Sequence, residues 1–336
     1  MSTIADPDGR PLALALGDPA GIGPEIAAKA WERRTEQGLA PFFVVGSAEA
    51  IAAVWNGPVA VVEGPEQALA IFHEALPLIR IAGGGDGVPG EPTLEGARNS
   101  LDALELAVGL ARSGAASAIV TGPVSKAQLY AIGFSHPGQT EFVAERCGIA
   151  ADMVAMMLAG PTLRTVPVTT HIALKDVPSA VTEELIVQRG RTTIRGLKRL
   201  FGIDRPRLAV AGLNPHAGED GALGREEIDV VMPAIERLRE EDAEIIGPLA
   251  ADTMFHARKR ATYDAALCLY HDQALVPLKT LHFDEGVNIT LGLPIVRTSP
   301  DHGTAFGIAG RNEAEPGAMI AALRLAADCA RRLGQA

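Results

Sequence analysis

At 336 residues the chain is longer than most single hydrophobic cores, which favours two domains or one large α/β unit. The formal net charge of −11 argues against a nucleic-acid partner and against an anionic membrane partner, because both require a basic face. Hydrophobic residues make up 47% of the sequence and aromatic residues only 4%, which is typical of parallel sheets covered by helices.

The cysteine pattern and the hydropathy favour a cytoplasmic protein. The three cysteines, Cys147, Cys268 and Cys329, are odd in number and far apart, which favours free thiols over a disulfide framework. The sequence contains no run of the roughly 18 apolar residues that a membrane span needs. We therefore expect a protein of a reducing compartment with no membrane partner.

Short apolar runs alternate with longer amphipathic stretches along the chain. LALAL precedes GIGPEIAAKAWERRTEQG, FFVVG precedes AEAIAAVW, SAIVTG precedes KAQLYAIG, and LAVAGL precedes GREEIDVVMPAIERLREED. This order of strand and helix predicts a doubly wound α/β fold with mostly parallel strands. One segment, MVAMMLAGPTLRTVPVTTH at 153–171, instead predicts an antiparallel hairpin around a Gly-Pro turn, so we expect a mixed sheet.

Two glycine-rich segments are candidates for binding a phosphate or a nucleotide. Gly17, Gly21 and Gly23 lie between a predicted strand and a predicted helix, but their spacing is not GxGxxG, and a tight turn explains them equally well. The loop SPDHGTAFGIAG at 299–310 is small and polar enough for a nucleotide to approach its backbone. A structural turn before the last helix is the alternative.

Three histidines directly follow strand-like runs. His171 comes after TVPVTT, His216 after LAVAGLNP and His271 after AALCLY. Each histidine alone fits an ordinary loop or core position better than a metal site. Because the carboxyl ends of parallel strands meet at one edge of a sheet, the three together predict a catalytic divalent-metal site with open coordination positions.

Cationic and amide side chains follow His271 at regular intervals. Lys279, Asn288 and Arg297 could together bind a phosphate, with Arg297 donating two hydrogen bonds and Lys279 supplying a point charge. Three solvated loop residues are the alternative. That alternative fits Asn288 least well, because a polar amide within the apolar run GVNITLGLP needs a partner.

These residues lie in sequence blocks that resemble one family, the 4-hydroxythreonine-4-phosphate dehydrogenases of pyridoxal phosphate biosynthesis (PdxA). The blocks span residues 12–320 in family order: GDPAGIGPEI, VTGPVSK, HPGQTEF, TTHIALKDV, LNPHAGEDGALGREE, GPLAADTMF, YHDQALVPLK and GVNITLGLPIVRTSPDHGTA. So many blocks in one order do not match by chance.

The resemblance implies a reaction and its ligands. A phosphorylated hydroxy amino acid, 4-phosphooxy-L-threonine, would be oxidised with NAD (or NADP) and decarboxylated to 3-amino-2-oxopropyl phosphate. His171, His216 and His271 would bind a divalent cation, zinc before magnesium or cobalt. Five residues would hold the phosphorylated substrate: Gln139, Thr140, Lys279, Asn288 and Arg297.

The resemblance also implies a fold and an assembly. We expect a two-domain α/β/α protein of the isocitrate and isopropylmalate dehydrogenase type, with its active site in the cleft between the domains. The first domain would comprise 1–130 and 300–336, and the second 131–299, with most metal and substrate ligands. His302, Gly303 and Thr304 would bind the cofactor without a GxGxxG motif. The active site would be shared between the subunits of an obligate homodimer.

One position departs from the family pattern, and two carboxylates have undecided roles. The family commonly has His where this chain has Gln139, which keeps a hydrogen-bond donor and acceptor but cannot titrate. A related phosphorylated sugar acid, 4-phospho-D-threonate or 4-phospho-D-erythronate, is therefore the alternative substrate. Asp252 and Asp272 are candidates for proton transfer or for orienting a metal ligand, and an ordinary structural role is the alternative for each.

Overall fold

The computed structural model describes residues 9–83 and 87–335. The strands in these residues are β1 (Leu12–Ala15), β2 (Phe42–Gly46), β3 (Val59–Val61), β4 (Leu76–Arg80), β5 (Ile119–Thr121), β6 (Ala155–Ala159), β7 (Arg164–Pro167), β8 (Arg207–Ala211), β9 (Glu244–Leu249), β10 (Ala265–Cys268), β11 (Val287–Leu291) and β12 (Arg297–Pro300). The helices are α1 (Gly23–Glu32), α2 (Ala48–Val54), α3 (Pro65–Ile71), α4 (Leu94–Arg112), α5 (Lys126–Ala131), α6 (Gln139–Arg146), α7 (Val177–Ala180), α8 (Glu183–Phe201), α9 (Met232–Leu238), α10 (Ala251–Met254), α11 (Ala257–Arg260), α12 (His271–His282) and α13 (Gly317–Gln335).

The chain divides into two compact units, Met1–Gly148 with Leu293–Ala336, and Ile149–Gly292. These units divide at 148/149 and 292/293, whereas the domain limits expected from the sequence are 130/131 and 299/300. Helix α6, after residue 130, stays with the first unit, because Gln139 donates to the Gly122 carbonyl and Arg146 forms an ion pair with Glu105 of α4. Strand β12 pairs with β5, which brings the residues before 300 into that unit as well.

The first unit contains a parallel sheet of strand order β3-β4-β2-β1-β5-β12. Strands β1, β2 and β5 are buried along their whole length, as expected for parallel strands that are covered on both faces. Helices α4 and α13 pack against the central strands β1 and β5. The carboxyl ends of β1 and β5 lead into the glycine-rich turn after Leu16 and into the segment beginning at Gly122.

The second unit contains a mixed sheet of strand order β11-β6-β7-β10-β8-β9. Strands β6 and β7 form the predicted antiparallel hairpin, β11 adds antiparallel to β6, and the remaining pairs are parallel. The predicted mixed α/β fold is thus confirmed. Helix α8 begins at a hydrogen bond from Leu185 N–H to the Thr182 hydroxyl and ends at Gly202 with φ 65°.

Among the described residues, the structure has no helix that is both long and apolar enough to cross a lipid bilayer.

Candidate active site

The three predicted metal ligands follow neighbouring parallel strands of the second unit. Strand β10 lies between β7 and β8, so the carboxyl ends of all three strands lie at one edge of the sheet. His171 follows β7, His216 follows β8, and His271 is the first residue of α12 after β10. The sequence placed the histidines correctly relative to the strands.

His171 and His271 are brought together. Their ring centroids lie 5.5 Å apart, with an interplanar angle of 45°. Two imidazoles that bind one tetrahedral zinc ion through bonds of about 2 Å have centroids separated by about 5 Å. The observed pair therefore fits a shared divalent cation.

Asp272 contacts one nitrogen of the His271 ring. Its Oδ1 lies 2.7 Å from Nδ1 of His271. When Nδ1 carries the proton and donates it to this carboxylate, Nε2 is left as the ligand atom. Asp272 is a candidate either for proton transfer or for orienting a metal ligand. This contact favours the second role, orientation of His271. Asp252 lies exposed in α10, after β9.

His216 does not complete a metal site in one copy of the chain. It is exposed, and no three His, Cys, Asp or Glu side chains within 9–83 and 87–335 lie close enough together to hold a metal ion. The three-histidine site thus stays a prediction for which a single chain supplies one close pair.

The backbone at two of these histidines is left-handed. His171 has φ 51° and His216 has φ 53°, and the left-handed conformation continues from His216 through Asp220. The left-handed conformation is less favourable by roughly 1–2 kcal/mol for a residue other than glycine. Such strain persists where surrounding contacts enforce it, and it is concentrated at functional sites.

A cavity of about 290 Å³ opens beside the histidine pair. Its walls include both rings, Asp272 and the side chains of Ile172 and Leu174. Ile172 is 43% exposed and Leu174 is 71% exposed, which is unusual for large apolar side chains.

In the first unit, Arg297 forms the centre of the predicted phosphate site. Its side chain is 4% exposed, and Nη2 donates to the Thr121 hydroxyl at 2.8 Å and to Oε1 of Gln139 at 3.4 Å. Nη1 donates to the Thr140 hydroxyl at 3.4 Å. Burial lowers the pKa of Arg297 to about 10. The structure thus groups Arg297 with Gln139 and Thr140, and adds Thr121, which sequence reasoning missed.

Lys279 and Asn288 belong to the second unit. Lys279 lies half-buried in α12, and Asn288 lies in β11 opposite Leu158 of β6. The amide oxygen of Asn288 is buried and has no hydrogen-bond partner among residues 9–83 and 87–335. A buried acceptor without a donor suits a residue whose partner arrives with a ligand. Their action on one substrate together with Arg297 stays a prediction.

The two glycine-rich segments of the first unit lie against each other. The N–H of Ile22 donates to the carbonyl of Thr304 at 3.0 Å, and a Cβ on Gly21 would lie 2.9 Å from that carbonyl oxygen. A Cβ on Gly23 would lie 2.2 Å from the carbonyl oxygen of Leu16. These glycines are therefore needed for close approach of the protein's own backbone, which favours the tight-turn interpretation over a phosphate cradle.

Residues 302–304 of the second glycine-rich segment are accessible to a ligand. His302 and Gly303 are exposed and Thr304 is half-buried. A Cβ on Gly303 would have no atom within 4 Å from the part of the chain that the structure describes, so open space lies beside its backbone there. This arrangement fits the approach of a nucleotide to the three residues.

Sequence reasoning also missed three buried polar side chains beneath the histidines. Thr169, Glu227 and Gln273 are 5%, 3% and 7% exposed, and each forms hydrogen bonds with the backbone near a strand end. A glutamine two residues after His271, in a segment that begins an amphipathic helix, was the only signal for Gln273.

Known proteins resemble the chain over nearly its whole length. The family model described as "Pyridoxal phosphate biosynthetic protein PdxA" matches residues 39–326. The 4-hydroxythreonine-4-phosphate dehydrogenase of Zymomonas mobilis is 59% identical, over 96% of this chain and 96% of the relative. That of Erythrobacter litoralis is 53% identical, over 97% of this chain and 98% of the relative.

A solved structure gives the same result. The crystal structure of the 4-hydroxythreonine-4-phosphate dehydrogenase from Klebsiella pneumoniae is 35% identical, covers 96% of this chain and 99% of its own, and superposes with a TM-score of 0.84. On these matches of family model, sequence and fold, the chain belongs to the PdxA family of oxidoreductases.

Proposed function

We propose that the chain is a 4-hydroxythreonine-4-phosphate dehydrogenase. It would oxidise the C3 hydroxyl of 4-phosphooxy-L-threonine to a ketone, pass the hydride to NAD or NADP, and release carbon dioxide from the resulting β-keto acid to leave 3-amino-2-oxopropyl phosphate. The observation that carries this proposal is the buried Arg297, held by Gln139 and Thr140, in a member of this family.

The phosphate of the substrate is assigned to Arg297, Lys279 and Asn288. A guanidinium can donate two parallel hydrogen bonds to phosphate oxygens, and its burial makes each of these bonds stronger than it would be in water. The hydroxyl of Thr140 and the amide oxygen of Gln139 accept hydrogen bonds from the Arg297 guanidinium and orient it. Lys279 supplies a second positive charge and Asn288 a neutral amide.

The paired imidazoles of His171 and His271, with His216, would hold the divalent cation, for which zinc is the first choice and magnesium or cobalt the alternatives. When bound, the cation supplies positive charge that favours loss of the hydroxyl proton and of carbon dioxide, and the nicotinamide accepts the hydride. Asp272 orients His271 through Nδ1. Asp252, exposed after β9, is assigned to proton transfer.

His302, Gly303 and Thr304 would bind the dinucleotide. Support comes from the open space beside Gly303 and from the contact of Thr304 with Ile22, which keeps the loop close to the start of α1. A loop of small residues lets a nucleotide reach backbone groups without a GxGxxG turn.

A second copy of the chain would complete the active site. One copy supplies a close pair of histidines, and the exposed Ile172 and Leu174 beside that pair suit burial in a homodimer. Cys147, Cys268 and Cys329 are not paired in disulfide bonds within the described residues, which supports a cytoplasmic location.

The alternative substrate is 4-phospho-D-threonate or 4-phospho-D-erythronate. The observation that favours it is Gln139, which lies against Arg297 where the family commonly has a titratable His. Residues that bind a phosphate suit either kind of substrate. The two kinds of substrate differ at the end of the molecule away from the phosphate.

Both proposals are tested by following NADH or NADPH formation with these three substrates, before and after treatment with a chelator. We expect turnover of 4-phosphooxy-L-threonine that stops on chelation and returns with zinc. Preference for a sugar acid would replace the first proposal with the second. No turnover of any of the three would reject both, and turnover that survives chelation would reject the metal.

A further inference from the structure

A line of buried hydrogen bonds joins the strand ends that carry the three histidines. The first bond of the line joins the ends of β7 and β10. The hydroxyl of Thr169 donates to the carbonyl of Leu269 at 2.8 Å, and the N–H of Thr169 lies 3.3 Å from the same oxygen. Thr169 is two residues before His171, and Leu269 is two residues before His271.

Gln273 continues the line from β10 to β8. The N–H of Leu269 donates to its Oε1 at 2.7 Å, and its Nε2 donates to the carbonyl of Gly212 at 2.8 Å. Gly212 lies four residues before His216. The amide is 7% exposed and uses both of its ends on backbone groups from two different strands. An amide side chain can accept at its oxygen and donate at its nitrogen at the same time.

Glu227 holds the turn that carries His216. Its Oε1 accepts from the N–H groups of Leu213 and Asn214, each at 2.7 Å, and its Oε2 accepts from the Asn214 side chain at 2.9 Å. A Cβ on Gly218 would lie 2.6 Å from Oε2, so the left-handed turn packs directly on the carboxylate. The carboxylate is 3% exposed and supplies contacts that can enforce this strained conformation.

We infer that Gln273 is a positioning residue for His171, His216 and His271, and that Glu227 and Thr169 act with it. The inference rests on the proposed function, in which these histidines bind a divalent cation. Gln273 holds the backbone before His216 and the backbone before His271, while Thr169 joins the backbone before His171 to that before His271. Hydrogen bonds made directly to metal-ligating side chains commonly change metal affinity by about 10- to 100-fold, and bonds to the backbone beside those ligands act through the position of the ligand.

The alternative is that Gln273 serves only to satisfy buried backbone groups. Both interpretations predict some loss of stability when the amide is removed, so stability does not separate them. Metal affinity does, because a packing residue would change it no more than any other buried polar side chain. Thr193 offers the matched comparison: it is fully buried in α8 of the same unit, and its hydroxyl donates to the carbonyl of Arg189 at 2.7 Å.

The test measures binding of Zn²⁺ to the full chain by competition with a chromophoric chelator, and the absorption spectrum with Co²⁺. The variants are Gln273→Met, Glu227→Gln and Thr193→Val. We expect Gln273→Met to weaken zinc binding by about 10- to 100-fold and to alter the Co²⁺ spectrum. Glu227→Gln should weaken it less, and Thr193→Val should match the unmodified protein. Metal-free thermal unfolding of each variant provides the stability baseline.

Should Gln273→Met not fold, Thr169→Val takes its place, because the Leu269 carbonyl keeps the N–H of Thr169 as a donor. We expect this variant to fold and to lose zinc affinity by a smaller factor. Unchanged affinity in the folded Gln273→Met or Thr169→Val variant would overturn the inference and leave the proposed function intact. Absence of zinc binding by the unmodified protein would overturn the metal site and this inference with it.

Discussion

The amide oxygen of Gln139 accepts a hydrogen bond from Nη2 of Arg297 at 3.4 Å, while Nε2 of the same amide donates to the carbonyl of Gly122 at 3.2 Å. Gln139 thereby links a buried guanidinium to the backbone that follows β5. The partners that Arg297 shares with it, the hydroxyls of Thr121 and Thr140, are also neutral. These neutral acceptors orient the cation, while the Glu141 carboxylate raises the pKa of Arg297 against the larger effect of burial.

Replacing Arg297 with Met should weaken substrate binding without lowering the thermal stability of the protein. Because burial lowers the pKa of Arg297 below its ordinary value, its charged form destabilises the folded protein at neutral pH. We therefore expect Arg297→Met to unfold at the same temperature as the unmodified protein or at a higher one. Loss of a charged hydrogen bond to phosphate should raise the Kd for the substrate by about 10- to 100-fold.

Calorimetric titration and thermal unfolding measure these two effects. The exposed Arg33 of the same unit supplies the control, because Arg33→Met should change neither quantity. A large fall in unfolding temperature with unchanged substrate affinity would instead make Arg297 a structural residue.

Replacing Gln139 with His should make the Arg297 contact depend on pH. A neutral imidazole can accept from Arg297 and donate to Gly122, as the amide does. Below its pKa of about 6.5 the imidazolium would lose the acceptor and repel the guanidinium. We expect kcat/KM of Gln139→His to fall below that of the unmodified protein as the pH drops through this value, mainly through a higher KM.

The comparison uses pH profiles of kcat/KM for both proteins and for Gln67→His, which introduces a histidine at an exposed position of α3. Parallel profiles for all three proteins would count against a role of Gln139 in holding Arg297.

Removing either member of the histidine pair should remove the metal. In His171→Ala and His271→Ala we expect zinc affinity to fall by more than the roughly 10- to 100-fold that follows loss of a residue that only orients a ligand. Thermal stability in excess zinc should fall as well, because a ligand that binds only the folded state stabilises it.

Elemental analysis after dialysis and unfolding curves with and without zinc measure both effects. His256→Ala, at an exposed position of the same unit, is the control and should keep its zinc. Full zinc content in either variant of the pair would assign the metal to other residues.

Asp18 should make the stability of the protein depend on pH. It is 1% exposed, and burial raises its pKa, although its Oδ1 accepts from the N–H of Ala20 at 3.1 Å. An acid whose pKa is higher in the folded state stabilises that state below its unfolded value, near 3.8, and the stabilisation disappears as the pH rises through the folded value. At neutral pH the ionised, buried Asp18 therefore lowers the free energy of unfolding.

Asp18→Asn keeps an oxygen for Ala20 and cannot ionise, so we expect it to be more stable at neutral pH by about 1.4 kcal/mol for each unit of the shift. Urea unfolding between about pH 4 and pH 8 measures this difference, which should vanish toward the acid end. Asp102→Asn, at an exposed position of α4, should not change the curve. A less stable Asp18→Asn at neutral pH would contradict the effect of burial.

The alternation of apolar runs and amphipathic stretches was sufficient to predict the α/β fold and the hairpin of β6 and β7. These features depend on local periodicity, which is present in any short window of the sequence. The predicted domain limits near 130 and 299 differ from the division into compact units, because α6 and β12 contact α4 and β5, which are distant from them in sequence.

The residue types of the site could also be predicted from the sequence, which shows histidines after strands, spaced cations and amides, and a set of motifs that belongs to one family. The arrangement of these residues in space could not be predicted. The 5.5 Å separation of His171 and His271, the burial of Arg297 against Gln139, and the link from Leu269 through Gln273 to Gly212 all join residues far apart in sequence. Such distances follow from which strands become neighbours in the sheet, and strand order is set by packing of the whole core rather than by any local pattern.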